Sequence, residues 1–212
     1  MFSALAAGVD SIQTLVQALG VAYASAINLP AAIAILGLSQ VAGWVGPYPG
    51  ALQAVANPWI IGLALVLTVV QFAATLIPGI ASAWETIQTA IRPPAAAVLS
   101  VATVYHLDMQ YIVAAALLGG TLAFTAHGAK LGLRYAVDAS PEPITNAAAN
   151  VAELGFVGAL CVAVWHHPYL SLTVALLVLA ALIIVVRRIA RAIRTMFRTG
   201  SVSRDPAGAV PR

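Results

Sequence analysis

Between His127 and Glu153 the polar residues fall at helical spacing. His127, Lys130 and Arg134 stand at i, i+3 and i+7, which places them on one face of a helix. Ser140-Pro141-Glu142-Pro143 follows: a capping hydroxyl, prolines in a first turn where a missing N–H costs nothing, and an acid favoured by the helix dipole. Asn146, Asn150 and Glu153 then recur at i, i+4 and i+7 on a helix otherwise made of Ala, Val, Leu and Gly. Two cations beside a helix start make a mouth that favours anions. An acid deeper in the same helix could bind a solute or carry a proton.

Each of these residues also has a plainer reading. Asn146 and Asn150 suit interhelical hydrogen bonds, and His127 suits an interfacial histidine. Glu153 could equally hold the bundle together by pairing with a base, and its two readings stand level. No second His or Cys stands at ligand spacing beside His127, and there is no nucleophile elbow and no carboxylate pair. Neither a metal, a cofactor nor an enzymatic reaction is therefore expected.

The elements that must position these groups follow from composition. Of 212 residues, 61% are hydrophobic and 8% charged, against roughly 25% charged in soluble domains. Such a chain cannot build a water-facing surface, and the fold class is an all-α polytopic membrane protein. Cys161 is the sole cysteine and forms no intrachain disulfide, and no Lys or Arg precedes Arg92 to make the basic start of a signal peptide.

About seven membrane segments are expected, at 12–27, 30–45, 59–77, 95–105, 110–126, 144–165 and 170–186. The first two are short, and are read as spans or, alternatively, as a re-entrant pair split at Asn28-Leu29-Pro30. Residues 81–94 read as a polar, partly amphipathic lead-in to the fourth. Gly128 and Gly132, four apart, would let a neighbouring helix approach. Glu153 would lie about 18 Å into its helix, near mid-membrane, where a charged side chain costs at least about 2.5–3.5 kcal/mol unless paired or protonated.

With seven spans all ten basic residues fall on one side, Arg92, Lys130 and Arg134 being counted as loop charges. That side is cytoplasmic by the positive-inside rule, so the C-terminus is expected inside, in an inner (plasma) membrane. Residues 1–186 form one transmembrane domain. Residues 187–199 continue as a basic amphipathic juxtamembrane helix, and 200–212 as a disordered tail. Arg187, Arg191, Arg194 and Arg198 share one face, suited to anionic lipid head groups. So short a basic helix is no nucleic-acid site. The small-residue faces leave room for a homo-oligomer.

The pattern His127-x-x-Lys130-x-x-x-Arg134, Ser140-Pro141-Glu142-Pro143-x-x-Asn146 and Glu153 resembles the bacterial membrane family known only as domain of unknown function 4126. The resemblance extends upstream through Pro78, Trp84-Glu85 and Arg92-Pro93. The family pattern carries acids where this chain has Gln71, Thr75, Ala81 and Leu154. If relatives bind a cation there, this chain has lost or changed that property. The resemblance implies a fold and a site but no reaction.

The reading that best fits is a transporter or channel for a small solute or ion. Its polar intramembrane site would be built from His127, Lys130, Arg134, Ser140, Glu142, Asn146, Asn150 and Glu153, and would open to the cytoplasm. The alternatives are a non-catalytic scaffold subunit of an envelope complex and, third, a lipid-acting membrane enzyme.

Overall fold

The structure, a computed structural model, describes residues 2–77, 79–138 and 143–200. Among these residues it is all-helical. The α-helices are α1 (Phe2–Ile27), α2 (Leu29–Val41), α3 (Pro58–Thr75), α4 (Ile80–Val104), α5 (Met109–Ala114), α6 (Gly120–Asp138), α7 (Pro143–His166) and α8 (Pro168–Gly200). A 3-10 turn, Gly50–Ala56, precedes α3, and a π-helical stretch, Ala115–Gly119, joins α5 to α6 into one rod. Among the described residues four helices are long and apolar enough to cross a membrane: Pro58–Thr75, Met109–Tyr135, Asn146–His166 and Pro168–Ala192.

Helix α1 is the hub, packed against every other α-helix except α3. Its second half, from Ala18 to Ala26, is small and almost wholly buried, which lets several helices crowd round it. It is not the short segment expected at 12–27. At 26 residues it runs about 39 Å, since the pattern of small residues continues upstream without a breaker. Asn28 then divides α1 from α2, its Oδ1 accepting from the Ala31 N–H at 3.2 Å with Pro30 in the first turn.

The largest departure from expectation is α4. The polar stretch 81–94 and the apolar run 95–105, up to Val104, belong to one helix of 25 residues, which passes through Pro93 and Pro94. Its polar face is turned inward, so that Glu85, Gln88 and Arg92 are buried. A bundle whose outside is hydrocarbon keeps its polar face within, the reverse of a surface helix in water. Arg92 is therefore no loop charge, and neither are Lys130 and Arg134, which lie within α6. Only the basic residues from Arg187 onward remain to set orientation.

Irregular backbone is matched by particular partners. The π-helical turn leaves the Ala115 carbonyl to Ser100 Oγ, at 3.1 Å. Loop residue Tyr48 folds over α2, its hydroxyl donating to the Leu36 carbonyl at 2.8 Å and meeting Ser39 Oγ at 2.7 Å. Burial pushes that phenol up to about 12, so it stays a neutral donor. Of the two α6 glycines only Gly132 is a close approach: a Cβ there would come within 2.9 Å of Val186 Cγ1 on α8. At Gly128 it would meet nothing within 4 Å. The basic segment from Arg187 is helical. It is the unbroken continuation of α8, with Arg187, Arg188, Arg191 and Arg194 exposed.

Candidate functional site

Four ionisable side chains from three helices form a chain at the break between α1 and α2. Glu153 of α7 lies 2.8 Å from Lys130 Nζ of α6, which lies 3.0 Å from Glu85 of α4. Glu85 in turn lies 2.7 Å from Arg92, two turns further along α4. Acid and base alternate, so each interior member has an opposite charge on both sides. Exposure rises steadily along it: 0% for the Arg92 side chain, 1% for Glu85, 11% for Lys130 and 19% for Glu153.

The break in the helix is why the chain sits here. Ile27 ends α1, and its carbonyl accepts from Arg92 at 3.0 Å and from Lys130 at 2.6 Å. Two cations thus meet the negative end of the α1 dipole, which favours both. Asn28, next along, uses its amide twice. Its oxygen caps α2, and its Nδ2 donates to Glu153 Oε1 at 2.8 Å. Lys130 donates to that same Oε1. Among the described residues Oε2 has no partner.

Helix α3 supplies uncharged polar groups. Gln71 Oε1 accepts from Arg92 at 2.9 Å, and Thr75 Oγ1 accepts from Asn150 Nδ2 at 2.9 Å while donating back to the Gln71 carbonyl. Arg134, one turn beyond Lys130, donates to the Thr75 carbonyl at the C-terminal end of α3. These contacts join α3, α6 and α7 where hydrocarbon-like packing alone gives little specificity.

Two cavities flank Glu153. One is a slot of about 10 Å³ among Asn28, Thr68, Gln71, Thr75, Asn150 and Glu153, room for a single water. The other, about 320 Å³, opens between α1, α6, α7 and α8. Tyr23, Ile27, Leu133, Phe156, Val178 and Leu182 line it together with Lys130, Arg134 and Glu153. Glu153 lines both. The arrangement holds a carboxyl group between a polar slot and a largely apolar cavity.

Of the residues expected at a site, Lys130, Arg134, Asn150 and Glu153 come together. Asn146 is buried, but it lines neither cavity and its Oδ1 has no partner among the described residues. His127 turns to α4, with Nε2 3.0 Å from Thr89 Oγ1, and also lines neither. Ser140 and Glu142 lie outside the described residues. Sequence reasoning did not assign Asn28, Gln71, Thr75, Glu85 or Arg92 to the site. A signal existed for two of them, since Glu85 and Arg92 stand seven apart and share a helix face. Among the described residues no three His, Cys, Asp or Glu side chains gather as a metal site would require.

Neither a curated protein nor a solved structure matches the chain. One family does, over residues 15–188, a range that takes in every member of the ion chain and both cavities. The chain belongs to the family described as Domain of unknown function (DUF4126).

Proposed function

We propose that this is a multi-pass transporter or channel of an inner membrane, whose solute or ion passes the Glu153–Lys130 pair. One observation carries the reading: the intramembrane acid lines two separate cavities while holding a base through only one of its oxygens. An acid with a purely bracing role would be dry and bonded through both oxygens, as a charge in hydrocarbon is costly otherwise. The broken α1–α2 rod supports the same reading, since transporters place binding groups where half-helices meet. On this proposal all seven helical rods lie in the membrane. The C-terminus is cytoplasmic, with Arg187, Arg191, Arg194 and Arg198 against anionic lipid, and the role is non-enzymatic.

A second reading has its own support at the other end of the ion chain. Arg92 and Glu85 are fully buried and mutually bonded, as in a structural clamp, which suits a scaffold subunit. The test is the purified protein in liposomes, with a trapped pH dye and swelling followed under gradients of potassium chloride, sodium acetate and alanine. Wild type should give saturable flux. Glu153→Gln keeps size and removes charge, so it should stay folded and monodisperse while flux is lost or uncoupled from protons. Unaltered flux with an unshifted pH profile in a stable Glu153→Gln protein would overturn the transport reading.

A further inference from the structure

We infer that the slot beside Glu153 is a binding site for one water molecule, which joins Gln71 of α3 to Asn150 and Glu153 of α7. That water closes the linear ion chain into a ring. The site stands on its own hydrogen-bonding inventory, and it holds whether the protein transports a solute or braces a complex.

Size and unmet bonds set the ligand. The slot measures about 10 Å³, the room that a single water takes. Gln71 and Asn150, which line it, are only 3% and 6% exposed. Each has one terminal atom bonded inside the protein and one without a partner among the described residues. Buried polar groups rarely stay unpaired, because losing water without a substitute is costly.

The partners fix which atom is left over. Arg92 can only donate, so the Gln71 side-chain oxygen faces it at 2.9 Å and Gln71 Nε2 remains. The Thr75 hydroxyl gives its proton to the Gln71 backbone carbonyl at 2.8 Å. It must therefore accept from Asn150 Nδ2, which leaves Asn150 Oδ1. Glu153 Oε1 takes both Lys130 and Asn28, which leaves Oε2. The other hydrogens around the slot are spent: Asn28 donates to Glu153, and Thr68 donates to the Ala64 carbonyl at 2.7 Å.

What remains is one donor, Gln71 Nε2, and two acceptors, Asn150 Oδ1 and Glu153 Oε2. Water complements that set, since it accepts one hydrogen bond and donates two. An anion would meet two acceptors, one of them a carboxylate. A metal cation or an ammonium ion offers nothing to the Gln71 N–H, and it would sit beside a carboxylate that Lys130 already pairs. The hydroxyl of a larger molecule has one hydrogen to give and a body that the slot does not hold. The ring then runs Arg92, Glu85, Lys130, Glu153, water, Gln71 and back to Arg92. Gln71 thereby ties the buried end of the ion chain to its exposed end, and Glu153 is hydrated from the α3 side.

Two measurements on the full-length protein test the site. A crystal structure grown from lipid, at a resolution that shows ordered solvent, should place one water within hydrogen-bond reach of Gln71 Nε2, Asn150 Oδ1 and Glu153 Oε2. The second is hydroxyl-radical footprinting by X-ray pulses in nanodiscs, read by mass spectrometry. A bound water forms its radical in place, so Phe72 and Leu154, which line the slot, should be oxidised. Phe156 and Leu182, which line the larger cavity, are the matched controls.

Thr68→Leu fills the slot from a wall residue that makes none of the three bonds. It should lower oxidation of Phe72 and Leu154 several-fold and leave that of Phe156 and Leu182 unchanged. Leu154→Phe fills the slot from α7, read at Phe72, and serves if the first variant does not fold. A wild-type crystal with no density in the slot, density for a metal ion held by oxygens alone, or Phe72 oxidation unchanged by either filling substitution would overturn the site. Water in the slot without flux in liposomes would remove the transport reading and keep this site. Flux without that water would do the reverse.

Discussion

Glu85 is the keystone of the ion chain, and removing its charge should cost more than removing that of its partner Arg92. Among the described residues Glu85 is the only carboxylate in contact with Arg92, at 2.7 and 3.3 Å, and both side chains are essentially inaccessible. Glu85→Gln strands a guanidinium in the core and takes the four-membered ion chain from charge balance to an excess of one positive charge. Breaking one side of a buried pair costs about 3–5 kcal/mol. Arg92→Met instead leaves Glu85 held by Lys130 at 3.0 Å, so no charge is left without an opposite partner. Its loss is the hydrogen bonds to Gln71 and to the Ile27 carbonyl, about 1–3 kcal/mol.

The double variant discriminates most sharply. Glu85→Gln with Arg92→Met returns the ion chain from an excess of one positive charge to balance, and it leaves no stranded cation at position 92. It should therefore be more stable than Glu85→Gln alone by about 2 kcal/mol, the second substitution rescuing the first. Reversible unfolding in mixed micelles with dodecyl sulfate, followed by helical circular dichroism, measures all three. Additive losses, or an Arg92→Met cost exceeding that of Glu85→Gln, would show that ion pairing is not what these residues supply.

Three further outcomes follow from the geometry. Asn28→Ala loses the α2 cap and should cost about 0.5–2 kcal/mol. Asn28→Asp keeps a capping oxygen but sets a carboxylate beside Glu153, so in the same assay its deficit should shrink as pH is lowered, while that of Asn28→Ala should not. Gly132→Ala should cost about 1–3 kcal/mol by overpacking against Val186, whereas Gly128→Ala should be neutral or slightly stabilising. A reporter active only in the periplasm, fused after Arg212, should stay silent, and trimming after Thr199 should leave assembly and flux intact.

What could be read from the sequence follows the physics of each element. Helices α3, α7 and α8 are long apolar runs bounded by proline, a pattern that lipid imposes and that needs no tertiary knowledge. Helix α4 was hidden because Pro93-Pro94 signals a break and an amphipathic face normally signals water. Only the packing of α1 and α6 against it makes the interior the polar side. The same inversion made Arg92 look like a loop cation. Lys130, Arg134, Asn150 and Glu153 were legible because local spacing put them on two faces of adjoining helices. Asn28 was legible as a break but not as a ligand of Glu153, because that contact joins residues 125 apart. Gln71 and Thr75 carry no charge, and nothing local marks them out from other polar residues in a span.

The order of exposure along the ion chain separates stability from function. A buried ion pair in a low-dielectric interior gains little over an apolar pair of the same size, yet it is costly to break. It therefore fixes one helix arrangement more than it adds stability. Arg92 and Glu85, at 0% and 1% exposure, suit that part: they bind α4 to the end of α1 and to α3 through bonds that no proton from solvent readily reaches. Glu153, at 19%, is the member whose charge can change at least cost to the rest, because Lys130 keeps Glu85 and the Ile27 carbonyl when Glu153 lets go. On the transport reading, a rigid end and a more exposed end in one network let the charge at Glu153 be removed without loosening the bundle around it. If so, substitutions at Glu85 should lower stability and flux together, while those at Glu153 should change flux and its pH dependence with stability moved by less than about 1 kcal/mol, the scale of a partly exposed pair. A Glu153→Gln protein destabilised as much as Glu85→Gln would place the structural weight at the wrong end of the chain.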